Sequence, residues 1–138
     1  MTDTSSGVAV VVWRRAPQLE VLLLHRRVFG EAFVGDWAWT TPGGAREPDE
    51  PPEAAAAREL YEETGLRLRC RPVRSRVAAA QSGIDVEVFA AEGKADSTVV
   101  LSDEHDRYEW VPADELDRCL PRWVGEMYRE VVESVSGA

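Results

Sequence analysis

The sequence predicts an α/β fold in which a mixed sheet is covered by helices. Apolar, β-branched runs at Val8 to Trp13 and Leu19 to His25 come before anything helical. Further strand patterns then fall between and after two helix-forming stretches. A chain of 138 residues can bury a core without staples, so residues 1–138 are expected to form one domain.

Residues Met1 to Gly7 are polar and are expected to be a flexible tail. They lack a basic region followed by an apolar stretch, so no secretory signal is visible. Val8 to Trp13 reads as a strand buried on both faces, and the Ala16-Pro17-Gln18 turn pairs it with Leu19 to His25 as a hairpin. Arg26 to Thr41 has no clean period and reads as a long functional loop. Glu53 to Thr64 favours helix. Asp49 or Glu50 is the expected cap, Pro51 the first helical residue, and Gly65 the left-handed stop. Leu66 to Ala80 holds one strand or two short ones. Ile84, Val86 and Val88 alternate with Asp85 and Glu87, the pattern of a half-buried strand. Ala91 to Asp103 reads as a loop, Tyr108 to Val111 as a short strand and Asp114 to Cys119 as a helical turn. Pro121 to Val135 has the pattern of a closing amphipathic helix.

Composition narrows the function. A formal charge of −9 argues against nonspecific binding to nucleic acid or to an anionic membrane, and no apolar run is long enough to span a bilayer. Cys70 and Cys119 are too few and too isolated for a disulfide framework or a zinc site, which fits reduced thiols in a cytoplasmic protein. Phosphorylated small molecules stay open as partners, provided cations bridge the acids to the phosphates.

The chemistry concentrates between Gly43 and Leu66. Glu59, Glu62 and Glu63 are spaced i, i+3 and i+4, so their carboxylates are expected on one helix face, where like charges oppose each other. Leu60, Thr64 and Ala57 fall on another side and can anchor the helix to a sheet. Ala55 and Ala56 are expected to leave room over the carboxylates. Three oxygen donors in open space suit a hard divalent cation, and the alternative is a solvated acidic face. The Gly43-Gly44 pair ahead of the helix permits close backbone approach to a ligand or ion.

Gly44, five residues, Glu50, seven residues and then Arg58-Glu59-Leu60-Tyr61-Glu62-Glu63-Thr64-Gly65-Leu66 resemble the signature of the Nudix hydrolases at every defined position. With average residue usage, a chance match is on the order of 10⁻⁷. The resemblance implies an α/β/α sandwich with a mixed central sheet. It also implies metal-dependent hydrolysis of a nucleoside diphosphate derivative, with Mg²⁺ or Mn²⁺ as the ion. It makes Glu59, Glu62 and Glu63 the metal-binding carboxylates, assisted by the Gly43 carbonyl, with Glu50 reaching the metals through water. Arg58 would pair with acids such as Glu50 or Glu59 and hold the face in register. The general base would be Glu59 or a distal-loop acid, for which Glu104 is the best candidate. Asp49 departs from the glycine found there in many members. Family members are often homodimers.

Several residues are candidates for the rest of the substrate: Arg26 and Arg27 as a fork for phosphate oxygens, Gly44 for backbone approach and Tyr108 for stacking. Trp37 and Trp39 alternate, so one is expected inward and the other toward the cleft. Trp110 is expected in the core or packed against it, and His105 is read as a loop or substrate-contact residue rather than a catalytic one. Glu104 to Trp110 resembles segments of members acting on dinucleoside polyphosphates and on dihydroneopterin triphosphate. Modified nucleoside triphosphates and nucleotide sugars complete the candidate substrates. The reading of a different class is a nucleotide-sensing module without turnover.

Overall fold

The computed structural model describes residues 7–27, 38–78 and 85–137, with the side chains of 74–78 and 85 outside that description. Trp37, Ile84 and the tail before Gly7 lie outside the described residues. Gly7 itself opens the first strand and is not part of a tail.

The sheet is built on β1 (Gly7–Arg15) and β2 (Leu19–Arg26), which pair antiparallel through Arg15 and Leu19 as the hairpin pattern predicts. After β2 come the short strands β3 (Trp39–Thr40) and β4 (Gly43–Ala45), then helix α1 (Pro52–Thr64) and strand β5 (Arg71–Ala78). Strands β6 (Asp85–Glu92) and β7 (His105–Pro112), a 3₁₀ turn at Ala113–Arg118 and helix α2 (Arg122–Ser136) complete the chain. The main strand order is β3-β2-β1-β6-β5, with β4 also on β1 and β7 also on β2. Among the described residues only β1 and β6 pair parallel, so the sheet is mixed.

Alternation along the strands sorts the core into two faces. Val8, Val10, Val12, Leu22, Leu24, Phe89 and Ala91 pack toward α1, with its Ala55, Ala56 and Leu60. Val11, Trp13, Val21, Leu23, Val88, Ala90 and Val111 pack toward α2, through Val124, Tyr128, Val131 and Val132. That makes an α/β/α sandwich. Val86 and Glu87 of β6 are half-buried as read, whereas Val88 to Ala91 are buried, because a helical layer covers each face there.

The site is positioned by a split in the sheet. β4 lies along Gly7 to Ala9 of β1, while β2 lies along Trp13 to Arg15, so the two diverge beside the middle of β1. The chain from Trp39 to Ala45 crosses that split, leaving β2 and arriving on β1. This is why the glycine pair is part of a short strand: it completes the β1 ladder.

Candidate active site

Helix α1 presents its carboxylates to β4. Glu63 is 3% exposed, and its Oε1 accepts a hydrogen bond from the Gly43 amide at 3.3 Å. Glu59 is near enough to act on its titration. Burial, reinforced by that neighbour and its charge, pushes Glu63 well above the ordinary carboxylate range; Glu104 adds to the rise and the Gly43 amide opposes it. Glu59 in turn fits against Gly44, where a Cβ atom would come within 2.3 Å of Glu59 Oε2. The absent side chain is the cradle for that carboxylate.

Arg58 organises the outer side. Its Nε and Nη2 donate to Glu50 at 2.8 and 2.9 Å, a two-pronged pair that holds Glu50 down at about 2. Nη1 donates to Glu59 at 2.6 Å and to Glu62 at 3.2 Å, and Nη2 to the Ala45 carbonyl at 3.2 Å. These hydrogen bonds, that to Glu50 above all, raise the Arg58 pKa.

The expected convergence of three carboxylates is therefore divided. Glu59 and Glu63 meet, whereas the Glu62 side chain is 55% exposed and tied to Arg58 one turn earlier. Among the described residues, no three His, Cys, Asp or Glu side chains stand ready to hold an ion together. Two further expectations are corrected. Ala55 and Ala56 do not clear space over the site but pack fully buried against the sheet, and Ala57 is exposed rather than anchoring. At 100° per residue, Ala56 follows the direction of Leu60, whereas Ala55 follows that of Glu62, seven residues on.

A hard divalent cation fits the donors. All are oxygens, and buried Glu63 and half-buried Glu59 lie against the backbone of Gly43 and Gly44. Arg58 would have to share Glu59 and Glu62 with such an ion.

The opposite bank comes from β2 and the turn before β7. Arg26 is half-buried; burial lowers its pKa, while Tyr128 and Glu63, both within electrostatic reach, raise it. Arg27 Nε donates to the Asp103 carbonyl at 2.8 Å and its amide to the Glu104 carbonyl at 2.9 Å, so Arg27 clamps this turn and gives one prong of its fork to the backbone. Glu104 is exposed. His105 is buried, its Nδ1 has no partner among the described residues, and burial, followed by Arg26, lowers its pKa. Trp39 meets the edge of His25 at 5.0 Å, and His25 Nδ1 lies 2.9 Å from Asp106.

Tyr108 is 42% exposed and does not join Trp39. It is paired with Leu24, whose side chain belongs to the α1 face, whereas Trp39 packs against the α2 face. Trp110 packs against the α1-side core, with Arg14 over its ring. The sequence reading missed the Thr41 and Tyr128 hydroxyls, 3.3 Å apart at the split. Tyr128 falls four residues after Val124 in the apolar stripe of α2, so nothing in the pattern separates it from core.

Residues 5–133 match a family model described as the NUDIX domain. Octanoyltransferase of Myxococcus xanthus is 36% identical over 129 residues, covering 89% of this chain and 34% of that protein. RNA pyrophosphohydrolase of Roseobacter denitrificans is 28% identical, covering 86% of this chain and 89% of that one. The crystal structure of a C. elegans Ap4A hydrolase binary complex superposes with a TM-score of 0.80 over 96% of this chain and 100% of its own. At 22% identity that likeness concerns the fold alone. Several curated relatives are longer proteins, of which the chain spans 34% to 62%.

Proposed function

The chain belongs to the Nudix family, and from that membership we propose that it hydrolyses the diphosphate linkage of a nucleoside diphosphate derivative. The observation that carries this reading is the buried Glu63 carboxylate held by the Gly43 amide, with the Glu59 carboxylate fitted against Gly44 beside it. Glu59, Glu62 and Glu63, with the Gly43 carbonyl and with Glu50 through water, would hold Mg²⁺ or Mn²⁺. When bound, the ion would neutralise phosphate charge and lower the pKa of the attacking water.

The chain's own residues divide the remaining work. Arg58 keeps Glu50, Glu59 and Glu62 in register along the helix. Glu59 or Glu104 accepts the proton as water attacks phosphorus and the bridging P–O bond breaks. Arg26, across the split from Glu63, faces the phosphates. Arg27 contributes what its clamp on the turn leaves available, and Gly44 lets substrate or ion approach the backbone. Trp39 and Tyr108, being on opposite faces, would serve different parts of the substrate. Modified nucleoside triphosphates, dinucleoside polyphosphates, dihydroneopterin triphosphate-like compounds and nucleotide sugars are the candidates. The hydrolase name of the Roseobacter protein supports the reaction class. No helix among the described residues is long and apolar enough to cross a membrane. The setting we propose is cytoplasmic, on the two isolated cysteines, and assembly would be as a homodimer.

The test is a substrate panel assayed with Mg²⁺ or Mn²⁺ beside Glu62→Gln and Glu63→Gln. Turnover should need the metal and fall by about a hundredfold in the variants. Hydrolysis in ¹⁸O-labelled water should label a phosphate product only. Failure to cleave any diphosphate compound would replace this reading with that of a nucleotide-sensing module, and unchanged variants would refute the metal-site assignment.

A further inference from the structure

On the reading proposed above, we infer that Tyr128 of α2 is a positioning residue for the site, acting through Thr41 on the Gly43 amide that holds Glu63. Three consecutive residues at the split are tied to three different elements. Thr41 Oγ1 lies 3.3 Å from the Tyr128 hydroxyl on α2, the Pro42 carbonyl accepts from the Val10 amide of β1 at 2.8 Å, and the Gly43 amide donates to Glu63 of α1 at 3.3 Å. The crossing segment is thus strung between the two helical layers. Its height over Glu63 depends on the hydroxyl pair at its α2 end.

Both partners of that pair are buried, Thr41 to 4% and Tyr128 to 8% exposure. A phenylalanine would fill the same apolar space in the α2-side core, so the hydroxyl is there for its partner. Arg26 lies within electrostatic reach of both Tyr128 and Glu63.

The experiment compares Tyr128→Phe, Thr41→Val, their double variant and Thr41→Ser with the wild type. Mn²⁺ binding is read by electron paramagnetic resonance of the free ion, together with melting temperature, kcat and KM. Tyr128→Phe and Thr41→Val should each weaken Mn²⁺ binding about tenfold, as loss of an outer support does. They should lower kcat while KM stays within about twofold. The double variant should be no worse than either single one, and Thr41→Ser should restore wild-type behaviour. Wild-type Mn²⁺ affinity in Tyr128→Phe, additive losses in the double variant, or a lowered melting temperature without an affinity change would each overturn the inference. A wild-type protein that binds no Mn²⁺ would remove the proposed site and this inference together, whereas a wild type that binds and hydrolyses beside unaffected variants would remove the inference alone.

Discussion

Gly43 and Gly44 are neighbours that are glycine for different reasons. A Cβ at Gly43 would lie 2.3 Å from the Val8 carbonyl oxygen and 3.0 Å from Ala9 Cα, backbone atoms of β1 that cannot yield without opening the ladder. A Cβ at Gly44 would meet the Glu59 carboxylate, the far end of a flexible side chain. Gly43→Ala should therefore lose about 1–3 kcal/mol, measured by denaturant unfolding. Gly44→Ala should stay folded and lose metal-dependent turnover about tenfold or more, because Glu59 is displaced. Equal unfolding losses for the two would contradict this division. Glu63 sets a pH dependence of the opposite sign to that of most carboxylates. Its pKa is raised in the folded state, so the folded chain holds the proton that the unfolded chain releases. Stability from this group is full at low pH and declines as pH rises above the ordinary carboxylate range. In chelator, the melting temperature should fall from about pH 5 to about pH 8 more steeply for the wild type than for Glu63→Gln. Parallel curves would show that Glu63 is not buried as a carboxylic acid. The spacing of the acids was legible in the sequence, but their division by Arg58 was not, since it depends on which side chain a flexible guanidinium reaches.

At the scale of elements, α1 shows why helix ends are read unequally well. Its stop was legible because Gly65 adopts φ 74°, where its amide donates to the Tyr61 carbonyl at 2.8 Å. Its start lies one residue later than the sequence suggests. Pro51 is the cap residue in extended conformation and Pro52 the first in the helix, and adjacent prolines satisfy that pattern in either register. The expected cap side chains are used elsewhere: Glu50 pairs with Arg58, and Asp49 takes a positive φ of 65°. Gly65→Ala should cost about 1 kcal/mol. Space is not the cause, because the nearest atom to an added Cβ, on Val100, is 3.4 Å away; the left-handed backbone is. Mn²⁺ affinity should be unchanged in a Gly65→Ala protein that melts lower. A tenfold loss of affinity would mean that the C-terminal turn tunes Glu63 directly.

At the scale of the whole molecule, the layers were legible and the split was not. The continuous apolar runs of β1 and β2 and the stripe of α2 are local patterns, so a sheet covered by helices follows from them. The split arises from two strands sharing one edge of β1, and a three-residue strand containing two glycines leaves no periodic trace. The consequence is that negative charge from α1 is gathered where the sheet opens, in a chain whose formal charge is already −9. Divalent cations should then stabilise the protein in two distinguishable ways. General screening depends on ionic strength, and about 1 mM Mg²⁺ adds little to a background of about 0.1 M NaCl. Specific binding follows mass action and reaches about 2.7 kcal/mol at a hundred times Kd, which for a domain of this size is a rise of about 5–10 °C in melting temperature. Mg²⁺ or Mn²⁺ added at constant ionic strength should produce that rise in the wild type and lose most of it in Glu59→Gln and Glu63→Gln. The rise should persist in Glu109→Gln, whose charge is removed on β7 where it pairs with Arg118. Equal shifts in all four proteins would mean that the cations relieve net charge rather than fill a site on α1.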